Sequence, residues 1–295
     1  MLKLYLMGVG GTLLSATQSK KVYRRKLGEV WSASGDTDHP KLRQPLALEV
    51  WEFVLQTMKP GTNITVLSNG PLTNFVKVDS VKNISSRIQE VYVVGGHISR
   101  NTEDKGNVFS IPSNQYAEFN MFLDPLAAKT VFESEVNITL IPLSTQRRVS
   151  SFATAIGRLN GTRKTPEVAF SKGLLSSLHR LKQIHNSYHH MDTFLGEILG
   201  AVVLADEGSS LKPKFEVTPI KVLATGDESI DGKMVVDEKH GKLVRILSKV
   251  DENAYYNLYA NKLGDEYQSA KVGSFKPSQE KCTEFHGYKA FYQLC

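Results

Sequence analysis

Four polar side chains in one short stretch could bind a hydroxylated ligand. They are Asn107, Asn114, Glu118 and Asn120. An amide both donates and accepts hydrogen bonds and a carboxylate accepts them, so this set suits the vicinal hydroxyls of a sugar. The same residue types also make ordinary polar turns. The residues alone therefore leave two alternatives, a sugar-binding cleft and a polar loop.

Asn69 and Asp192 are the candidate ligands for a cation. Asn69 precedes Gly70, so its backbone carbonyl could bind a hard cation while the glycine lets a ligand approach closely. A tight turn followed by a helix cap explains the same residues. Asp192 comes soon after His189 and His190. This order fits either a metal carboxylate beside a general acid or a plain helix cap.

Composition and missing motifs exclude several classes of protein. The chain has 295 residues, 41% hydrophobic and 22% charged, as expected for a globular domain. The net charge of +6 includes one basic run at 20–26, and no nucleic-acid recognition motif accompanies it. The apolar runs are too short to cross a bilayer. We therefore predict neither a nucleic-acid partner nor a membrane span, and the HExxH, CxxC, nucleophile-elbow and P-loop motifs are also absent.

Predicted strands and helices alternate along the first half of the chain. The apolar runs Ile64–Leu67, Ile88–Val94 and Asn137–Ile141 predict strands, and helix signals follow at Pro71 and Asp124. This order is typical of a parallel sheet covered by helices on both faces. Ligands bind such sheets outside the carboxyl ends of the strands, where the candidate polar residues lie.

The flanking regions have other patterns. A capped helix is predicted to follow Asp36, and residues 149–205 have mainly helical spacing. A long irregular loop is expected from His97 to Gln115. Short strands at 215–223, 233–237 and 243–247 alternate with turns, and we expect them to pair antiparallel and to pack on the core.

Four N-x-S/T sequons favour a secreted protein. Their asparagines are Asn63, Asn83, Asn137 and Asn160. Residues 1–16 have only some features of a signal peptide. We nevertheless predict an extracellular location and glycosylation. The two cysteines, Cys282 and Cys295, either close a small loop or stay free.

Several motifs, in this order, resemble the inosine–uridine-preferring nucleoside hydrolases. They are Ser-Asn-Gly-Pro-Leu-Thr-Asn from Ser68, Val-Val-Gly-Gly from Val93, Gly106-Asn107, and Ala-Glu-Phe-Asn-Met-Phe-Leu-Asp-Pro-Leu-Ala-Ala from Ala117. The segments 36–40 and 220–226 resemble the secreted plant branch especially. The resemblance divides the chain into a non-matching segment at 1–21, a nucleoside hydrolase-like domain at 22–275 and a polar tail at 276–295.

The resemblance implies a fold, a reaction and a cofactor. The fold is α/β, with an open parallel sheet, flanking helices and short antiparallel strands near the C-terminus. The reaction is hydrolysis of a ribonucleoside to ribose and a base, assisted by calcium. By motif, the metal ligands are the backbone carbonyl of Asn69 and the side chain of Asp192. Ribose binding is assigned to Glu118, Asn120 and either Asn107 or Asn114. The acid catalyst is His189 or His190.

This chain departs from the family pattern at its start. The family opens with a strand ending in DTDxGxDD, which supplies most metal ligands and the general base, and this motif is absent. Asp36-Thr-Asp38 continues with His39-Pro40, so we do not expect it to replace the motif. The first strands of the sheet should be missing, although the alternation at 2–7 could supply one. Met191 stands where the family places a histidine.

Two hypotheses follow from these matches and departures. The first is a calcium-dependent nucleoside hydrolase. The second is a non-catalytic ribose-binding or interaction module, either a fragment or the second domain of a larger protein. In both cases we expect a second copy of the chain or a preceding domain to complete the fold.

Overall fold

The computed structural model describes residues 2–6, 56, 61–82, 85–99, 101–206 and 209–265. The predicted helix after Asp36, the sequon at Asn83, both cysteines and the tail at 276–295 lie outside these residues.

The described strands form one seven-stranded sheet in the order β1-β2-β3-β4-β7-β5-β6. Their bounds are Leu2–Leu6 (β1), Ile64–Ser68 (β2), Ile88–Val94 (β3), Ile138–Ile141 (β4), Lys214–Val222 (β5), Met234–Val236 (β6) and Lys242–Lys249 (β7). Parallel pairing joins β1 to β2, β2 to β3, β3 to β4 and β4 to β7. Strand β5 is antiparallel to both β6 and β7. The antiparallel strands thus extend the main sheet, which agrees with the predicted α/β class.

Helices follow the strands, as the sequence pattern predicted. The α-helices of the described residues are α1 (Thr73–Lys82), α2 (Phe119–Leu123), α3 (Pro125–Glu133), α4 (Leu143–Gln146), α5 (Phe152–Asn160), α6 (Pro166–Ile184), α7 (Asp192–Leu195), α8 (Leu199–Ala205) and α9 (Glu252–Leu263). The predicted start of α3 is confirmed. Asp124 caps it by accepting a hydrogen bond from the backbone N–H of Ala127 (3.1 Å).

The core lies on both faces of the sheet. Val66 and Val93 pack with residues of α1 and α3 on one face. Leu67 and Val94 pack with residues of α5, α6, α8 and α9 on the other. Because successive side chains of a strand point to opposite faces, a continuous apolar strand needs helices on both sides. The sheet is therefore the middle layer of three.

The segment Leu2–Leu6 forms the edge strand β1, with Leu2 opposite Ile64 and Leu6 opposite Ser68. The expectation that the alternating residues near the start supply a strand is confirmed. Among the described residues, no helix is both long enough and apolar enough to cross a membrane.

The parallel strands bring the candidate site together. Asn69 follows β2 and Gly95 follows β3, so both lie at the same edge of the sheet. From there to Glu118 the described chain has no helix or strand, as predicted. Part of this loop pairs with itself, since the backbone N–H of Gly106 donates to the carbonyl of Gln115 (2.7 Å).

Candidate functional site

Glu118 caps helix α2 and lies beside the end of β3. Its buried Oε2 accepts hydrogen bonds from the backbone N–H groups of Gly96 (2.9 Å), Asn120 (3.0 Å) and Met121 (3.3 Å). Burial raises the pKa of Glu118, whereas these hydrogen bonds and one from the Asn107 side chain oppose the rise. Four donors therefore hold this carboxyl group in one orientation.

Two glycines allow the end of β3 to reach Glu118. Gly95 has a φ of +140° and Gly96 a φ of +78°, and residues other than glycine rarely adopt these backbone angles. A Cβ on Gly95 would lie 2.6 Å from Oε2 of Glu118, and one on Gly96 would lie 2.4 Å from Sδ of Met234. The close contact between the backbone and the Glu118 carboxylate thus depends on Gly95, whereas Gly96 makes room for Met234.

Asn107 and Asn120 lie on either side of Glu118. The Oδ1 of Asn107 accepts a hydrogen bond from the backbone N–H of Phe119 (2.7 Å), and the Nδ2 of Asn120 donates to the carbonyl of Val94 (3.2 Å). Both asparagines are buried. Three of the four predicted sugar-binding side chains are thus brought together at the carboxyl end of β3.

Asn114, the fourth, is occupied elsewhere. Its Nδ2 donates to the carbonyls of Glu228 (2.8 Å) and Asp231 (2.9 Å), and its Oδ1 accepts from the N–H of Ala117 (3.1 Å). Both amide hydrogens are therefore used to join the loop to the turn before β6. Of the two alternatives left open by the sequence, Asn107 is the one in contact with Glu118.

Glu197 is a second carboxyl group that sequence reasoning missed. It lies in the 3-10 turn Gly196–Ile198 that leads into α8. Burial and, to a smaller extent, the negative charge of Glu118 raise the pKa of Glu197 to about 8. The two carboxyl groups are therefore close enough to interact. Without a cation, Glu197 is protonated at neutral pH.

Close backbone contacts place Glu197 at the strand ends. A Cβ on Gly196 would lie 2.3 Å from a carbonyl oxygen of α4, and one on Gly200 would lie 2.4 Å from Val94 and 2.8 Å from Leu67. Val94 and Leu67 stand near the carboxyl ends of β3 and β2. The sequence held one signal of this position, because glycines one turn apart in an apolar segment indicate close packing.

Asp192, the predicted metal carboxylate, has another partner. It begins helix α7, and its carboxylate forms an ion pair with Lys182 of α6. Glu197 is an acidic side chain that interacts with Glu118. The local contacts of Asp192 fit the simpler of its two interpretations, a helix start, and its role as a metal ligand stays a prediction.

The two predicted acid histidines differ in environment. His189 is exposed, and its backbone N–H donates to the carbonyl of Asn186 (3.2 Å). The ring of His190 lies 4.5 Å from the ring of Phe109, measured between centroids. Phe109 belongs to the loop that carries Asn107, so His190 is the histidine that contacts this loop.

The role of the Asn69 backbone carbonyl as a metal ligand stays a prediction, and the side chain of Asn69 offers a second oxygen. Its Oδ1 is buried and has no hydrogen-bond donor among the described residues. A buried amide oxygen without a donor is unfavourable, and a cation or a ligand donor would relieve it. An amide oxygen and the carboxyl group of Glu197 match the oxygen donors of a hard cation. No cluster of three or more His, Cys, Asp or Glu side chains able to hold a metal is found in the described residues.

The match to known proteins defines the class. The sequence model of the family described as inosine-uridine preferring nucleoside hydrolase matches residues 7–257. This chain belongs to that family. The predicted resemblance is thereby confirmed.

Plant proteins are among the most similar relatives. The chain is 51% identical over 283 residues to nucleoside hydrolase 3 of Arabidopsis thaliana, a match covering 92% of this chain and 32% of the relative. It is 54% identical over 258 residues to nucleoside hydrolase 4 of the same plant, covering 87% of this chain and 47% of the relative. The chain thus spans about a third to a half of the length of these relatives.

Solved structures share the fold. The inosine-uridine preferring nucleoside hydrolase of Bacillus anthracis superposes with a TM-score of 0.54 at 20% identity, covering 75% of this chain and 65% of that one. A plant nucleoside hydrolase gives a TM-score of 0.56 at 18% identity, covering 75% and 69%. The predicted nucleoside hydrolase-like sheet is confirmed by these superpositions.

Proposed function

We propose that this chain carries a nucleoside hydrolase site that splits the N-glycosidic bond of a ribonucleoside. Water adds to the anomeric carbon of ribose as the bond to the base breaks, and the products are free ribose and the protonated base. The observation that carries the proposal is the buried group of Glu118, Asn107 and Asn120 at the strand ends, with Glu197 beside it.

The hydrogen-bonding capacity of Glu118, Asn107 and Asn120 supports sugar binding. Glu118 accepts and the two amides both donate and accept, so together they can hold vicinal ribose hydroxyls. The donors around Glu118 orient it before substrate arrives, and such preorganisation lowers the cost of binding. Their burial excludes water, which strengthens polar contacts to the sugar.

We further propose calcium as the cation, with Asn69, Glu197 and, as the resemblance implies, Asp192 as ligands from the described residues. When bound, such a cation lowers the pKa of a water molecule and orients the sugar diol. Calcium takes six to eight oxygens, so water and ribose hydroxyls would complete its shell. Because Glu197 holds a proton at neutral pH, binding should release that proton.

The base would leave on the side of His190. This histidine contacts Phe109, two residues beyond Asn107, and is therefore near the loop that holds the sugar-binding amide. An imidazolium there could donate a proton to the departing base. His189, which is exposed, is the less suitable of the two predicted acids.

The test is release of ribose by the full chain. Purified protein with calcium is incubated with inosine, adenosine or uridine, and reducing sugar is measured. We expect release that a chelator abolishes and that falls at least about 100-fold in Glu118→Gln, which is about 2.7 kcal/mol of transition-state stabilisation. Glu103→Gln, at an exposed residue of the same loop, should retain activity.

The outcomes separate the two hypotheses. No release by folded protein at high concentration contradicts the proposed reaction. If that protein still binds ribose, and Glu118→Gln weakens the binding, the non-catalytic ribose-binding module is supported instead. Completion by a second copy or by a preceding domain stays a prediction.

We also propose that the protein is secreted and glycosylated. The sequon asparagines Asn63, Asn137 and Asn160 are exposed, as a modified asparagine has to be. Asn63 and Asn137 directly precede β2 and β4, at the strand ends opposite the candidate site. Glycans at these two positions would leave the site open.

A further inference from the structure

A group of side chains outside the sugar-binding set holds the loop that carries Asn107. His97, the residue after the glycine pair, is 1% exposed. Its Nε2 lies 3.0 Å from the carbonyl oxygen of Asp104. Because a carbonyl can only accept, Nε2 carries the hydrogen. Burial lowers the pKa of His97, which favours the neutral ring, and Nε2 donates to this carbonyl in either protonation state.

Arg147 holds the same segment from the opposite side. It follows α4, and its guanidinium donates through one terminal nitrogen to the carbonyl of Gly106 (3.0 Å). The other terminal nitrogen lies 3.7 Å from a carboxylate oxygen of Asp104. The fork of one arginine thus reaches both ends of a three-residue segment, which a single ammonium group cannot do equally well.

The held segment leads directly to the sugar-binding set. Asn107 follows Gly106, and its backbone N–H donates to the carbonyl of Ala117 (3.1 Å). The Asn107 side chain then reaches Phe119 and Glu118. A glycine is required at 106, because a Cβ there would lie 1.9 Å from the carbonyl oxygen of Ala117.

We propose that Arg147, with His97 as a second anchor, is a positioning residue that fixes Asn107 against Glu118. Together these interactions form a closed ring of contacts. Glu118 accepts from the N–H of Gly96, the adjacent His97 donates to the carbonyl of Asp104, and the loop then returns through Asn107 to Glu118. Arg147 ties this ring to the strand β4 side of the sheet. The expected effect of this positioning on kcat/KM rests on the proposed function, whereas its expected effect on the backbone around Asn107 does not.

Arg148 provides a matched control. It is the next residue, has similar exposure, and forms an ion pair with Glu252 of α9 (3.0 Å) rather than with the loop. A general effect of removing one positive charge should therefore appear in Arg148→Met and in Arg147→Met alike. An effect through Asn107 should appear only in the second variant.

The first test follows the backbone N–H of Phe119, whose acceptor is Oδ1 of Asn107. In the full chain, we expect its hydrogen exchange to be at least about tenfold faster in Arg147→Met than in wild type or in Arg148→Met. Arg147→Lys keeps the charge and should be intermediate, and it replaces the methionine variant if that one does not fold. Unchanged exchange in Arg147→Met, or equal acceleration in both arginine variants, would overturn the proposal.

The second test is a double-mutant cycle on ribonucleoside hydrolysis. We expect Arg147→Met to lower kcat/KM at least about tenfold in wild type but less than about twofold in an Asn107→Ala background, because its effect passes through Asn107. Additive effects would contradict the positioning role. If wild type releases no ribose, the proposed function fails, and the hydrogen-exchange experiment alone decides this inference.

Discussion

Single residues of the site differ in how much of their chemistry is local. Glu118 is oriented by neighbours on its own helix and by the glycine turn after β3. Glu197 acquires its raised pKa from burial and from Glu118, which is far away in the chain. The first residue could be selected from a motif, and the second could not.

The pKa of Glu197 predicts a pH-dependent stability. A glutamate in the unfolded chain has a pKa near 4.5 and Glu197 in the folded chain about 8, so between these values the folded state holds more protons. The free energy of unfolding should therefore fall as the pH rises from about 5 to about 8. Glu118 contributes with the same sign. Urea unfolding with a chelator present measures this slope.

Glu197→Gln is the matched variant for this pH series. The amide does not titrate, so the decrease in stability should be smaller than in wild type by on the order of 2–4 kcal/mol, since a tenfold change in proton affinity is about 1.4 kcal/mol. Parallel pH profiles of the two proteins would show that Glu197 does not hold a proton in the folded state.

Substitutions at Asn114 and at Asn107 should affect different properties, the first mainly stability and the second mainly binding. Asn114→Ala leaves three backbone groups, two of them buried, without their partner, so we expect the free energy of unfolding to fall by about 1–3 kcal/mol. Asn107→Ala should instead reduce ribose release or ribose affinity by a larger factor than Asn114→Ala does. Denaturant unfolding and sugar release, measured on both variants, check this. Equal effects of both variants on activity would place Asn114 in the site as well.

Among the elements, the junction after β3 is sterically constrained. Gly95→Ala puts a Cβ 2.6 Å from Glu118 Oε2 at a positive φ, so we expect a loss of stability of about 1–3 kcal/mol together with loss of activity. Gly157→Ala is the control, because Gly157 lies in α5 with no atom within 4 Å of the added Cβ. It should stabilise the protein by about 0.5–1 kcal/mol. Thermal and denaturant unfolding distinguish the two variants, and a Gly95→Ala protein as stable as wild type would contradict the strain at this junction.

For the whole molecule, the parallel sheet separates the candidate site from the sequon asparagines Asn63 and Asn137. Expressed through a eukaryotic secretory pathway, the protein should lose mass on treatment with an N-glycosidase, and Asn63→Gln and Asn137→Gln should each reduce that loss. Activity should not depend on these glycans. A secreted protein whose mass is unaffected by the enzyme would contradict glycosylation.

Most of the sheet and its helices could be predicted from sequence patterns. Continuous apolar runs with β-branched residues predicted β2, β3 and β4, and Asp124-Pro125 predicted the start of α3. These signals are local, because burial on both faces and the capping of a helix leave their mark within a few residues. The cluster around Glu118 was predicted for the same reason, since its motif lies in one stretch of chain.

The tertiary structure alone decided which distant groups meet. It placed Glu197 near Glu118 and Asp192 in an ion pair with Lys182, and it gave Asn107 and Asn114 different partners. It also showed that the last three strands continue the main sheet. The glycines around Glu197 indicate close packing but do not identify its partner. A carboxyl pair separated by about eighty residues, and the choice of partner for an amide, depend on how α8 and the loop pack against the strand ends.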